Sequence, residues 1–377
     1  MSTLKVDAIR HNSATSDAMT NHSNGTASAK IIDIGGGQIS QRNIVINGAM
    51  RINQRGDSTG NTSNGYYGPD RFMSTLNVGG TYSHSKGSSG SSLPEFPNSF
   101  KINCTSAGSS PSGTQEFKIA YGMEGHDLQQ LQYGSNSAKK TTLTFYVRSN
   151  KTETYTIWYY RPEGARMNAI NFSVSAANTW EKKVITIDGD TDTAIPDDNT
   201  EGMKFEWVLS AGGDMKSGTA LNGSWADLLN ANRYVGNTGT FGQSTSDVFE
   251  ITGVQFEVGD TSTSFEHKHI GDELSRCQRY FEKITVIRYP MYPNGNNGDN
   301  SETTLPFKVQ KRATGATSAI ESLTVTVNGS HYNPTAQSVN SNEYGITLFM
   351  TRSNADYGSS VGIKDAVFTA QSELHGT

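Results

Sequence analysis

Short runs of alternating apolar and polar residues, separated by clusters of Gly, Asn, Asp and Ser, recur along most of this chain. In the run at 139–149, Leu143, Phe145 and Val147 fall on one side, and Thr144, Tyr146 and Arg148 on the other. A period of two is that of a half-buried strand. Runs at 81–87, 98–107, 115–123, 153–162, 169–175, 180–189, 203–212 and 247–259 have the same character. The segment 43–56 predicts an opening strand with Ile44 and Ile46 on one face. So many strands between residues 41 and 270 predict a jelly-roll β-sandwich, in which the inner faces of two sheets share one core.

The flanks differ. Residues 1–40 alternate weakly, turn polar, and close on Ile31, Ile32, Ile34 and Gly35–Gly37. Forty such residues are too few to bury a core alone. They predict an arm that orders on a partner, with Leu4, Val6 and Ile9 as its attachment residues. Residues 271–377 open with Leu274, Cys277, Phe281 and Ile284 at spacings of three, four and three, one stripe of a helix. Asp272 and Glu273 stand where a helix N-terminus favours acids. Strand-like runs at 284–290, 304–310, 322–329, 344–350 and 363–370 complete a small β-rich domain carrying one helix. The expectation is a mainly β chain: arm 1–40, jelly roll 41–270, distal domain 271–377.

Charged residues are 18% and apolar residues 34% of the chain, with 39 Gly and a net charge of −5. That balance offers no basic footprint for nucleic acid. No apolar stretch approaches the roughly 18–20 residues of a membrane span, and the N-terminus lacks the apolar core of a signal peptide. The expectation is synthesis in a cytoplasm, with Cys104 and Cys277 as separate reduced thiols.

Several runs together resemble tail-fibre proteins of tailed phages, especially those of marine podoviruses. In order they are MSTLKVDAI at the N-terminus, NIVINGAMRINQRG from Asn43, PDRF from Pro69, PNSFKINCTSA, TLTFYVRSNKTETYTI, TWEKKVITIDGDT, ITGVQFEVGDTSTSFEH and GDELSRCQRYFEK, then LPFKVQKRAT. The resemblance covers the chain to about residue 315 and rests on the number and order of the motifs. It implies a jelly roll similar to carbohydrate-binding modules, in a virion fibre that is usually a homotrimer. The N-terminus would anchor it to tail adaptor or nozzle proteins, and the distal part would meet a host-surface glycan. The stripe Leu274, Cys277, Phe281 and Ile284 would then pack at a three-fold axis, or else on its own chain's sheet. A purely structural virion part, such as an adaptor or decoration protein, and a glycan depolymerase are the rival readings.

Neither cysteine sits in a recognisable catalytic context, and the expectation is a protein that is not an enzyme. The carboxylate pairs Glu124 with Asp127, Asp197 with Asp198, and Glu250 with Glu257 have no glycosidase motif around them. His267 and His269 share a strand face but lack a third metal ligand. Carbohydrate-binding jelly rolls often hold a structural calcium, yet no loop here has its ligand spacing, so no cofactor is expected. Sugars stack their C–H faces on aromatic rings. In 155–160, Tyr155, Ile157 and Tyr159 should be core. Trp158 and Tyr160 then either line an open sheet or lie beneath loops or a neighbouring subunit. Tyr66, Tyr67, Tyr289 and Tyr292, in turn-rich stretches, are further candidates for glycan contact. The long polar loops within 290–302 and 329–343 are the expected recognition loops.

Overall fold

The structure, a computed structural model, describes residues 8–9, 19–21, 27–29, 40–293, 300–314, 316–327, 330–332, 337–351 and 361–374. Leu4 and Val6 lie outside the described residues, as do the side chains of Ile9 and Tyr292 and positions 294–299, 328–329 and 333–336 of the expected recognition loops.

Near the N-terminus, β1 (Ala8–Ile9), β2 (Met19–Asn21) and β3 (Ala27–Ala29) form an antiparallel meander. Two larger sheets are then built in alternation. Their elements are β4 (Ser58–Asn61), β5 (Gly65–Tyr66), β6 (Met73–Asn77), β7 (Thr81–Ser88), β8 (Asn98–Ser106), β9 (Glu116–Glu124) and the one-turn helix α1 (Gly125–Leu128). There follow β10 (Thr141–Ser149), β11 (Thr154–Arg161), β12 (Arg166–Ser173), β13 (Glu181–Ile187), β14 (Glu201–Ala211), β15 (Ala226–Asp227) and β16 (Val248–Val258). One sheet has the order β13-β10-β16-β8-β7-β4, the other β15-β12-β11-β14-β9-β6-β5. The described strand pairs in both are antiparallel.

The alternation in the sequence explains the packing. Leu143, Phe145 and Val147 of β10 are fully buried against Tyr155, Ile157 and Tyr159 of β11 and Phe205 and Trp207 of β14. Phe145 meets Trp207 edge to face at 5.6 Å and 87°, and Phe205 meets Trp207 at 5.3 Å and 82°. Such ring pairs add about 0.5–1.5 kcal/mol each beyond the area they bury. The architecture is a jelly-roll β-sandwich with an aromatic core.

The lead-in segment departs from the expected opening strand. Ile44 and Val45 enter the sandwich core, whereas Ile46 packs with Ile52, Cys277 and Tyr280. Ile44 and Ile46 therefore do not share a face. Asn43 and Asn47 add to sparse backbone bonding, in which Ile44 N donates to Phe256 O at 3.0 Å and Val254 N to Gly48 O at 2.9 Å. Asn43 Nδ2 donates to Val254 O at 3.1 Å, and its Oδ1 accepts from Val45 N and Phe256 N. Asn47 sits at φ 63 and accepts from Ile52 N at 2.9 Å. A Cβ on Gly48 would stand 2.0 Å from Val254 O, which fixes glycine at this close approach.

Beyond residue 269 come α2 (Ile270–Gln278), β17 (Phe281–Pro293), β18 (Asn300–Pro306), β19 (Thr317–Val327), β20 (Ser330–Tyr332), β21 (Gln337–Ser341), β22 (Gly345–Thr351) and β23 (Val361–Gln371). The strands form one sheet of order β20-β19-β23-β17-β18-β22-β21 around Leu305, Ile346, Leu348, Ile363 and Phe368. This unit is the expected small β-rich domain. It has more strands than its sequence runs announce, because β20 and β21 arise within the stretch read as a loop at 329–343. The helix is also shorter than its stripe. His269 caps it, accepting from Gly271 N, and it ends at Gln278. Phe281 and Ile284 belong to β17, where the β-branched run 284–287 favours a strand. Cys277 is buried against Ile46, Ile52 and Tyr280 of its own chain, and Phe281 lies under the Arg55 guanidinium at 3.7 Å. All four stripe residues pack on their own chain's sandwich or sheet, with Leu274 and Ile284 partly exposed. No helix among the described residues is long and apolar enough to cross a membrane.

The sandwich and the distal sheet are joined by buried polar contacts. Arg71 pairs with Glu373, donates to Gly122 O at 2.8 Å, and lies 3.4 Å from the Tyr280 ring. Arg312 donates to Asn199 O at 2.7 Å, and Asn199 Nδ2 to Arg312 O at 2.7 Å.

Candidate functional site

On the outer face of the seven-stranded sheet, Trp158 of β11 is only 3% exposed. It is covered by Met215 and Tyr234, from the connection between β14 and β16, and packs beside Met167, Ala169 and Val208. Tyr160 is half-buried and stacks on Trp158 at 5.2 Å and 12°. The Arg233 guanidinium lies 4.2 Å from the Trp158 ring centre, and the Lys204 ammonium 5.3 Å from that of Tyr160. Glu116 and Glu206 complete the polar surround, pairing with Lys118 at 2.7 and 2.9 Å. Trp158 is therefore a covered ring, the second of the two placements open to it from sequence.

The other tyrosines are dispersed. Tyr66 is 6% exposed in a small cluster with Met73 and Ala120, so it presents no open platform. Tyr67 is half-buried, tilted on His84 at 4.9 Å, and its hydroxyl donates to Ser63 O at 3.1 Å. Tyr289 lies half-buried in the distal sheet beside the Thr304 carbonyl. None of these belongs to the Trp158 cluster.

The outer face of the six-stranded sheet carries a groove of about 160 Å³. Register and side-chain alternation build it. Tyr146 of β10 stands opposite Lys182 of β13 and Thr252 of β16, and Thr144 opposite Val184 and Gln255. A bulge in β16 between these rows holds Gly253 at φ 59. A Cβ there would sit 2.9 Å from both the Phe96 and Tyr146 rings, so glycine keeps the groove open. Phe96 is 5.3 Å from Tyr146 and meets Phe265 edge to face at 4.8 Å. His267 stacks over Phe96 at 5.7 Å, and its Nε2 lies 3.4 Å from Glu95. Lys182 is exposed on the rim.

The polar atoms of the floor are unequal. Gln255 is fully occupied: its Nε2 donates to Glu257 at 2.9 Å and Thr263 at 3.1 Å, and its Oε1 accepts from Glu266 N at 2.8 Å. The Thr144 hydroxyl is buried and has no partner. An unpaired buried hydroxyl beside a half-buried ring is the combination that a polyhydroxylated ligand satisfies, one hydroxyl to the threonine and a C–H face to the ring. Burial, and then the Glu95 carboxylate, raise the Tyr146 phenol above its ordinary range, so it remains a donor.

Of the carboxylates noted in the sequence, the Asp127 carboxyl accepts no hydrogen bond among the described residues, and the others have partners elsewhere. Glu250 accepts from Arg148 at 2.6 Å and from Ser99 at 2.8 Å, with Trp180 lying 5.0 Å from the guanidinium. Glu257 accepts from Thr263 Oγ1 at 2.6 Å. Asp197 faces His126 at 2.7 Å, and Asp198 accepts from Thr200 at 2.6 Å. Glu124 is gripped by Arg279 through two bonds of 2.9 and 2.7 Å and also accepts from the Tyr280 hydroxyl. His267 and His269 serve separately, one over Phe96 and one as the helix cap. No group of three or more His, Cys, Asp or Glu among the described residues is placed to hold a metal ion. Sequence reasoning missed Tyr146, Phe96, Phe265 and Lys182 as a group. Two signals pointed there: Tyr146 is the aromatic on the polar side of its run, and Gly253 interrupts an apolar strand.

No protein-family model and no curated protein matches the sequence. Solved structures give distant likenesses. The enzymatically active domain of tailspike protein 4 from Bacteriophage CBA120 is 10% identical over 57% of this chain, with a TM-score of 0.29, and this chain covers 21% of that one. A putative sugar binding protein from Bacteroides thetaiotaomicron is 11% identical, over 58% of this chain and all of its own, with a TM-score of 0.31. The module TmCBM61, solved in complex with β-1,4-galactotriose, is 8% identical over 58% of this chain and 99% of its own, with a TM-score of 0.28.

Proposed function

We propose that this protein is a glycan-binding subunit of a phage tail fibre that holds host-surface sugar in the Tyr146 groove without cleaving it. The observation that carries the reading is the unpaired Thr144 hydroxyl on a groove floor shared with Tyr146 and walled by Phe96 and Phe265. Rings, one free hydroxyl and a rim lysine suit non-covalent recognition of a polyol. The non-enzymatic part is supported by the engagement of Glu250, Glu257 and Glu124 with arginine, threonine and tyrosine, which leaves these carboxylates committed as structural acceptors. The virion assignment is supported by the ordered series of tail-fibre-like motifs from the N-terminus to about residue 315. In a homotrimer anchored through residues 1–40, three shallow grooves per fibre multiply weak single contacts into useful avidity.

Incubation of the full-length protein with polysaccharides from susceptible bacteria tests this reading. The expected result is co-sedimentation with the polysaccharide and no release of reducing ends. Release of reducing ends, or no retention by any surface polysaccharide of cells the phage adsorbs to, overturns it. Light scattering should give three times the 40.8 kDa chain mass, and a monomer would remove the trimer from the proposal.

A further inference from the structure

A second cavity lies where the sandwich meets α2. It is about 300 Å³ and is walled by the lead-in segment, the end of β9 with α1, and α2. Its size is at the low end for small-ligand sites, which suits one ring-sized residue rather than an extended chain. Two of its charged residues are already committed to each other, since Glu124 is held by Arg279 and Tyr280. A third, His126, is tied through Nδ1 to Asp197. The remaining two differ. Among the described residues, half-buried Arg276 has no carboxylate within 4 Å, and the Asp127 carboxyl has no hydrogen-bond partner. The charge of Arg276 acts on Asp127, but its guanidinium holds no carboxylate at contact distance, and such a planar fork suits one.

We propose that this cavity binds one carboxylate-bearing sugar residue, a uronic or sialic acid, with Arg276 taking the sugar's carboxylate and Asp127 and Gln130 reading its hydroxyls. The lining favours a sugar over a fatty or peptide acid. Its apolar part comes from Ile44, Ile46 and the Tyr280 ring, and the rest is amide, imidazole, carboxyl and guanidinium. The site is independent of the Tyr146 groove, which lies on the other sheet's outer face.

Calorimetric titration of the full-length protein with trigalacturonate, and with neutral galactotriose as its uncharged counterpart, tests the proposal. Trigalacturonate should bind, and Arg276→Gln should weaken it about tenfold or more. Arg276→Lys should restore part of that loss, because the charge remains and the fork does not. Tyr146→Ala should leave this binding unchanged, which separates its outcome from that of the groove. Arg276 is half-buried, and thermal melting of both Arg276 variants should match the parent, confirming that they fold. Absence of trigalacturonate binding, equal binding in Arg276→Gln, or competition by a short peptide with a free C-terminal carboxylate as effective as the sugar's overturns the proposal.

Discussion

On the outer face of the seven-stranded sheet, Trp158 is 3% exposed beneath Met215 and Tyr234. On the outer face of the six-stranded sheet, Tyr146 is half-buried in a groove whose floor holds an unpaired hydroxyl. Both rings leave a strand on the side away from the core, and each has a cation close by. The difference is what lies above them. The long connection from β14 to β16 folds back over Trp158 and turns its face into a second core. Over β10, the β7–β8 connection and the segment after β16 wall the groove through Phe96 and Phe265 but leave it open, and Gly253 withholds a side chain where the rings converge. An aromatic on the polar side of a strand thus becomes either core or site according to a loop remote in sequence.

The largest expected effect tests the covered side. Trp158→Ala empties a packed cluster and should cost about 3–5 kcal/mol of stability, measured by chemical denaturation, while the folded fraction binds glycan as before. A variant that kept its stability but lost binding would reverse the roles assigned to the two faces. Tyr146→Ala should do the opposite, lowering glycan affinity about tenfold while changing stability by under about 1 kcal/mol. Thr144→Val sharpens the contrast through its sign. Removing an unpaired hydroxyl should leave stability equal or slightly higher, while the lost ligand bond weakens binding by about 1 kcal/mol. Lys182→Ala should matter least, by about 0.5 kcal/mol at low ionic strength and nothing measurable at high salt, because a rim charge is screened.

The sandwich was legible because its strands bury one face, and alternation records this directly. Leu143, Phe145 and Val147, and Tyr155, Ile157 and Tyr159, are core as their period implies. The lead-in segment was misread because it meets β16 through only scattered backbone bonds and two asparagine side chains supply the rest, and a pattern of apolar residues does not register that. The helix stripe was overextended because Phe281 and Ile284 continue the spacing by coincidence after the chain has turned at Arg279 and Tyr280. In the distal domain, β20 and β21 are short, polar edge strands, and their sequence resembles a loop. Of the site, the outward placement of Tyr146 and Trp158 was legible. Which of them a loop covers depends on contacts remote in sequence, such as Trp158 with Met215 and Tyr234, and no local pattern encodes those.

The central claim is that the Tyr146 groove holds glycan. Its most direct test is the comparison of intact protein and Tyr146→Ala in titrations with one oligosaccharide from the host polysaccharide that the protein retains. The account predicts saturable binding by the intact protein, about tenfold weaker binding by a variant with an unchanged melting temperature, and no cleavage of the sugar in either. Equal affinity in the two proteins would place the glycan elsewhere on the molecule and contradict the account.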